Sequence, residues 1–330
     1  MATIKDIARR AGVGVATVSR ALNRTGYVKP TTLKKILVAA DELGYVPNRQ
    51  ARAMVNGATM TLGILIPDMD NSLFMRIVRG INDAAYPLGY SLLVMDSRGN
   101  PEWERQILRT MLELRADGVI LFATPGTPDL IPTIEGTPLV VLDRLIPGSS
   151  VPQISVDHYW GARQAVELLL KECRYPPAFL SGPSMVTSST PRLQGYLDAL
   201  EHAGFSSRES RIAPGNFTYE GGYHGMRSLL TAISTSLPLD GVFAANDLSA
   251  LGALRAIRES GYVCPDDIRV VGFDDIEAAR YVNPSLTTIR QPMDQIGQTA
   301  LRMLLAQIRG HELKDRLVTL PGQLIRRESC

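Results

Sequence analysis

From residue 61 onward the chain alternates short apolar runs with helix-length amphipathic segments, and this rhythm restricts its fold more than any other feature. "TLGILIP", "SLLVMD", "GVILFA" and "PLVVLD" have the length of buried strands, and after about residue 160 the rhythm returns in "AFLSG", "GVFAAND" and "IRVVGFDD". Strands separated by helical segments pair in parallel, because each crossover needs a helix, and the helices then cover both faces of the sheet. Two such stretches predict an α/β chain with two doubly wound parallel-sheet lobes. Sheets of this kind hold ligands in a cleft at the carboxyl ends of their strands. At 330 residues, 45% of them apolar, the chain is long enough to bury cores of that size.

The first 60 residues follow a different plan. Thr3 and Asp6 predict an N-cap and capping box ahead of a helix whose apolar face is Ile4, Ile7, Ala8 and Ala11. Gly12-Val13-Gly14 breaks that helix, and "VATVSRAL" starts another with Val15, Val18 and Leu22 turned inward. A cap at Thr31 or Thr32 opens a third, with Leu33, Ile36, Leu37, Ala40 and Leu43 on one face and Gly44 as its stop. Pro47 and Asn48 then begin a two-turn segment closed by Gly57, too short to hold as an isolated helix. This stretch carries ten basic residues against three acidic ones, a net +7, while the other 270 carry 25 against 30, a net −5. A basic head on a mildly acidic body fits a polyanion. A solvated helical surface is the plain alternative.

"AGVGVATVSRALN", residues 11 to 23, admits two readings. A dinucleotide fingerprint needs Gly-x-Gly-x-x-Gly directly after a strand. Here Thr17 holds the third glycine position, and a helix bearing Lys5, Arg9 and Arg10 comes before it. A helix-turn-helix needs a glycine where the chain reverses, small residues at the front of the second helix, and hydroxyls and cations for phosphates. The stretch supplies all three. An α/β enzyme has little else to work with, since the chain lacks a phosphate loop, a GxSxG turn and a metal set. His158, His202, His224 and His311 show no paired spacing. Catalytic residues, metals and cofactors are therefore not expected. Cys173, Cys264 and Cys330 form neither a disulfide framework nor a metal motif, which points to a reducing cytoplasm. No run approaches the ~18 apolar residues of a membrane span. "MATIKDIARR" puts charges where a secretory signal needs apolar residues. These features and the basic head argue against a transport-type sugar-binding protein and for a cytoplasmic, nucleoid-associated one without a membrane partner.

"MATIKDIARRAGVGVATVSRALN", "LGYVPNRQARAM", "TLGILIPDMDN", "RLQGYLDAL", "VFAANDLSALGALRAI", "RVVGFDDIEAARYVNPSLTTIRQP" and "LIRRES" resemble the lactose/galactose-repressor (LacI/GalR) family from end to end. The resemblance implies a helix-turn-helix head at 1–46, a hinge helix at 47–58 and an effector-binding core at 59–330, similar to periplasmic sugar-binding proteins. One lobe would run over about 59–159 and 291–322, the other over about 160–290 and 323–330. The implied protein is a sequence-specific repressor of carbohydrate genes, not an enzyme. It would be released from, or recruited to, a palindromic operator by a small-molecule effector, a mono- or disaccharide. No heptad tail follows the core up to Cys330, so a homodimer is expected.

The resemblance also assigns residues. Gly14, where the family usually has serine, opens the recognition helix, and Val15 and Ala16 form its base-facing start. Arg20 would reach a guanine through O6 and N7. Thr17, Ser19, Asn23 and Tyr27 would take phosphates, which position without specifying. In the hinge, Asn48 and Ala51 join Met54, which replaces the usual leucine wedge in the minor groove. Core packing remains open for Val15, and the contact between two hinges for Met54. Carried over for the effector are Asn71, Phe74, Arg144, Arg192, Phe217, Asn246 and Asp274, with Ser72 where the family usually has proline. Carboxylates, amides and guanidinium groups suit a sugar's hydroxyls, and rings suit its C–H face. Phe74 as simple core, and Asp247 and Asp275 as helix caps, stay open beside this.

Overall fold

The computed structural model describes residues 2–23, 26–45, 57–206, 211–233 and 238–330. The chain divides into two compact units, Met1–Met60 and Thr61–Cys330.

In the first unit three helices, α1 (Ile4–Ala11), α2 (Val15–Asn23) and α3 (Pro30–Glu42), close on Ile7, Ala8, Val18, Ala21, Ile36, Ala39 and Ala40. Thr3 and Asp6 form the reciprocal capping box, and Gly12, at φ 66°, ends α1 in the left-handed turn that glycine adopts without strain. Arg10 joins Glu42 at 2.7 Å, tying α1 to α3. Two expectations need correction. Helix α3 begins at Pro30, whose missing N–H costs nothing at a first helical position, so Thr31 and Thr32 lie inside the helix and cap nothing. Its inward face is Ile36, Ala39 and Ala40, while Leu37 and Leu43 are exposed.

The second unit holds two six-stranded sheets. One contains β1 (Thr61–Ile66), β2 (Ser91–Asp96), β3 (Gly118–Phe122), β4 (Leu139–Leu142), β5 (Gln153–Val156) and β11 (Leu317–Leu320) in the order β11-β5-β4-β3-β1-β2, all parallel. The other contains β6 (Ala178–Ser181), β7 (Ile212–Pro214), β8 (Gly241–Ala244), β9 (Arg269–Asp274), β10 (Thr287–Arg290) and β12 (Gln323–Ile325) in the order β12-β10-β9-β8-β6-β7. Only the β12–β10 pair of this sheet is antiparallel. Among the described residues the chain passes between the sheets three times: after β5, after β10 and between β11 and β12.

Helices cover both faces, as strands buried on two sides require. They are α4 (Ser72–Ala85), α5 (Pro101–Glu113), α6 (Thr127–Leu130), α7 (His158–Glu172), α8 (Ser189–His202) and α9 (Tyr219–Ile233). The remaining three are α10 (Asp247–Glu259), α11 (Ala278–Tyr281) and α12 (Met293–Ile308). Alternate residues of β1, β3 and β4 feed opposite cores. Ile64, Ile120 and Val140 meet Ile77 and Leu304 from α4 and α12, while Leu65, Leu121 and Val141 meet Met111 from α5. Phe179 and Phe243 of the second sheet stack, and Tyr196 from α8 stacks on Phe179. Each such side chain contributes roughly 1.5–3 kcal/mol by leaving water. Among the described residues no helix is long and apolar enough to cross a membrane.

Candidate nucleic-acid interface and ligand cleft

Helix α2 presents a compact, uncharged front. Gly14 accepts the first helical hydrogen bonds through its carbonyl, from Thr17 and Val18. Val15, 45% exposed, and Ala16 both face solvent, which removes the core reading of Val15. Of the three residues expected inward, only Val18 is fully buried, Leu22 being half-buried; Ala21 is buried beside Val18. No acidic residue stands in the first turn, so the positive end of the helix dipole is open to an anion. Thr17 and Ser19 are half-buried, Arg20 is exposed, and Tyr27 is 83% exposed. Arg20 folds back to donate from Nε to the Ala16 carbonyl at 3.3 Å, which holds the guanidinium on the Ala16 side of the helix. Asn23 is the last residue of α2. Asn48, Ala51 and Met54 lie outside the described residues.

In the second unit a cavity of about 180 Å³ opens between the two sheets at the carboxyl ends of β1, β4, β8 and β9. All seven residues carried over for the effector line it. Asn71, Phe74 and Arg144 come from the first lobe, and Arg192, Phe217, Asn246 and Asp274 from the second. Larger depressions, up to about 790 Å³, lie elsewhere on the surface and contain none of the seven. Chemistry rather than size therefore singles out the cleft.

Local structure explains each placement. Asn71 caps α4, accepting from the Leu73 amide at 3.0 Å. Phe74 does both duties left open for it, lining the cleft while meeting Phe122 edge-on at 5.0 Å. Asn246, and not Asp247, caps α10: its Oδ1 accepts from Ser249 at 3.0 Å, and its Nδ2 donates to the Phe217 carbonyl at 2.9 Å. Asp247 instead accepts from the Ile276 amide and the Thr288 hydroxyl, and burial raises its carboxyl pKa to about 6. Asp275 caps no helix either; Arg280, Arg290 and Arg327 converge on it. A Cβ at Gly182 would collide with the Phe217 ring, so glycine there lets the ring fold over the end of β6. Positive φ at Asp143, Asn216, Phe217 and Asp274 gathers backbone strain around the same cavity.

Electrostatically the cleft is built on Arg192 and Asp274. Arg192, 3% exposed, donates to the Ala245 carbonyl and covers the Phe273 ring at 3.9 Å and the Phe217 ring at 5.3 Å. Its Nη2 lies 3.8 Å from Asp274, which also accepts from Gln291 at 2.7 Å. Burial works against both charges, pulling the guanidinium below its ordinary range and pushing the carboxyl well above its own. Arg144 donates to the Ala123 carbonyl, and its buried Nε meets no hydrogen-bond acceptor among the described residues, with the Asp143 carboxylate 3.7 Å away. The cleft thus sets three carboxylates, two guanidinium groups, three amides and two rings around a small volume. Asp68, Asp143, Ser188, Asn216 and Thr218 line it too, beyond the expected set. Asp143 is marked by its strand end; the other four sit in loops whose sequence carries no period.

The model of the bacterial regulatory proteins of the lacI family matches residues 3–48, and the periplasmic binding protein-like domain matches residues 173–330. The ribose operon repressor of Halalkalibacterium halodurans is 34% identical, over 100% of this chain and 97% of its own. This chain belongs to the LacI family. The PurR repressor of Histophilus somni is 32% identical over 100% and 99% of the two chains. The solved Lac repressor dimer, bound to operator and the anti-inducer ONPF, superimposes with a TM-score of 0.87 at 29% identity, covering 99% and 98%. As a LacI-family member the protein is a DNA-binding transcriptional regulator with an effector-binding core.

Proposed function

We propose that this regulator is a homodimeric repressor of carbohydrate genes whose hold on a palindromic operator is set by a monosaccharide bound between the lobes. The observation that carries the proposal is the cleft itself. Its carboxylates accept from sugar hydroxyls, its guanidinium groups donate to them, and Phe74 and Phe217 face the C–H side of a ring. A cavity of about 180 Å³ lies below the ~300–1,000 Å³ of pockets for drug-sized ligands and favours one sugar ring over two. The ligand is bound and released unchanged.

At the DNA, Val15 and Ala16 meet thymine methyls and Arg20 takes a guanine, while Gly14, Thr17, Ser19, Asn23 and Tyr27 track the backbone. Asn48, Ala51 and Met54 serve the hinge contact with the minor groove. Two heads on a palindrome require two copies of the chain. An exposed groove of about 790 Å³ with Leu251, Tyr262, Val263, Tyr281 and Val282 in its lining offers the second copy an apolar seat. Shared effector site and head make ligand control a shift between two arrangements of one dimer.

Fluorescence anisotropy with a palindrome from the protein's own promoter region tests this, alongside thermal-shift titration of pentoses, hexoses, nucleosides and purines. A preference of about 10³-fold or more over random duplex is expected, with a sugar as the stabilising ligand. No preference, with or without ligands, overturns the DNA reading. Stabilisation by purines alone overturns the sugar.

A further inference from the structure

His158 lines neither the cleft nor the head, yet its buried ring touches cleft residues of both lobes. It is the first residue of α7, where the chain has just left β5 for the second sheet. Arg192 approaches its Nδ1 with Nε at 3.3 Å and Nη2 at 3.2 Å. A guanidinium has only donors, so Nδ1 must offer a lone pair and the ring proton must sit on Nε2. The other side agrees. Ser155 spends its hydroxyl proton on the Asp143 carbonyl at 2.9 Å, which leaves its oxygen to face Nε2 at 3.4 Å, and the Asp143 carboxylate stands 3.7 Å from the same nitrogen.

We propose that His158 is a positioning residue for effector binding: it fixes the Arg192 guanidinium for the ligand and ties it to the opposite lobe through Asp143. The proposal rests on the cleft being the effector site. With Nε and Nη2 held by His158 and Nη1 by the Ala245 carbonyl, Arg192 keeps one orientation, and its other N–H groups are aimed before any ligand arrives. The 3.7 Å between Nε2 and Asp143 is longer than a hydrogen bond, so a lobe movement of under ~1 Å would make one. Ligand closure and the grip on Arg192 are thereby coupled through one neutral ring. Burial and the neighbouring guanidinium hold the imidazole pKa down at about 3, so the ring stays an acceptor at neutral pH.

The test uses the full-length protein with D-ribose as probe and two readouts. Nitrogen-15 NMR of labelled histidines should show one imidazole locked in the Nε2–H form and not titrating between about pH 5 and 8. An Nδ1–H form, or titration near 6.5, overturns the proposal whatever ligand the protein takes. By calorimetry His158→Leu should weaken ribose binding about tenfold or more. His158→Asn keeps an oxygen near the Nδ1 position and should recover most of that loss. In an Arg192→Lys background His158→Leu should cost under about threefold, because the partner it orients is gone. Equal losses in both backgrounds, or a His158→Leu protein that binds like the wild type, would make the ring mere packing. If wild-type protein gives no ribose heat, ribose fails as effector, and the NMR result still decides His158.

Discussion

Val15 is spaced from Val18 and Leu22 as a core residue would be, yet it opens α2. A helical side chain leans over the turn before its own Cα, and Val15 has no such turn to cover, which leaves it in solvent beside Ala16. Periodicity, read without the helix start, misassigns that kind of residue. Arg20, one turn further on, is exposed. Arg20→Ala should lower specific operator affinity by ~1–3 kcal/mol while leaving non-specific binding nearly as it was. Gel shift against the operator and against random duplex separates the two, and an equal loss on both would make Arg20 a phosphate contact. His158 was invisible to motif reading because its partners Arg192 and Asp143 come from distant parts of the chain. It should also leave a mark on stability. Its folded-state pKa of about 3 lies below the ordinary 6.5, so its contribution is complete above pH 6.5 and is lost as pH falls toward 3. Asp247, raised to about 6, acts the other way: its contribution is complete below the ordinary 3.8 and is lost as pH rises through 6. Comparing urea denaturation of wild type and His158→Gln isolates the first. The gap between them should narrow by up to ~1.4 kcal/mol per pH unit on going from pH 6 to 4. A constant gap would mean that the ring titrates alike in folded and unfolded chains.

Elements were legible wherever their signal was local. The buried runs of β1, β3 and β4 announce themselves as apolar stretches, and the Thr3–Asp6 box marks the start of α1. The strands that went unread are of two kinds. Edge strands β7, β11 and β12 are short and half in solvent, so they need no apolar run. Strand β10, "TTIR", is buried but polar, and its hydroxyls find Asp247, Arg327 and Cys330 from far along the sequence. Strand β5, "QISV", belongs with it: it is interior and buried, but Gln153 and Ser155 break its apolar run and bond to Ile146 and Asp143. Asn246 and Asp247 show the same limit at a helix start: either residue type can cap, and only the backbone decides that Asn246 does. The capping box gives a prediction at this scale. Asp6→Ala frees the Thr3 amide from its acceptor and removes the one carboxylate of the first turn of α1, at a cost of about 1 kcal/mol. In a head with so small a core, that should speed amide exchange across α1 about fivefold. Mass-spectrometric exchange of the full-length protein would show it, and unchanged rates in residues 4–11 would mean that the box is redundant.

At the scale of the whole molecule, recognition and sensing fall in separate compact units, and that separation makes their coupling measurable. An effector changes operator affinity only through its differential affinity for two arrangements of the protein, and linkage makes the effect reciprocal. If the effector alters operator affinity by some factor, within roughly 5–150 for such couplings, saturating operator must alter effector affinity by the same factor. The sign does not enter this equality, so it holds for an inducer and for a corepressor alike. Removing residues 1–57 supplies the control. The shortened protein keeps every residue that lines the cleft, so its effector affinity should match that of the full-length protein without DNA. It should neither shift the operator nor respond to it. Calorimetric titration of both proteins, with and without a saturating operator duplex, measures each quantity. A shortened protein that still binds the operator would place part of the DNA interface in the core. Factors of one in the full-length protein, neither ligand changing the affinity for the other, would mean that effector and operator are not coupled.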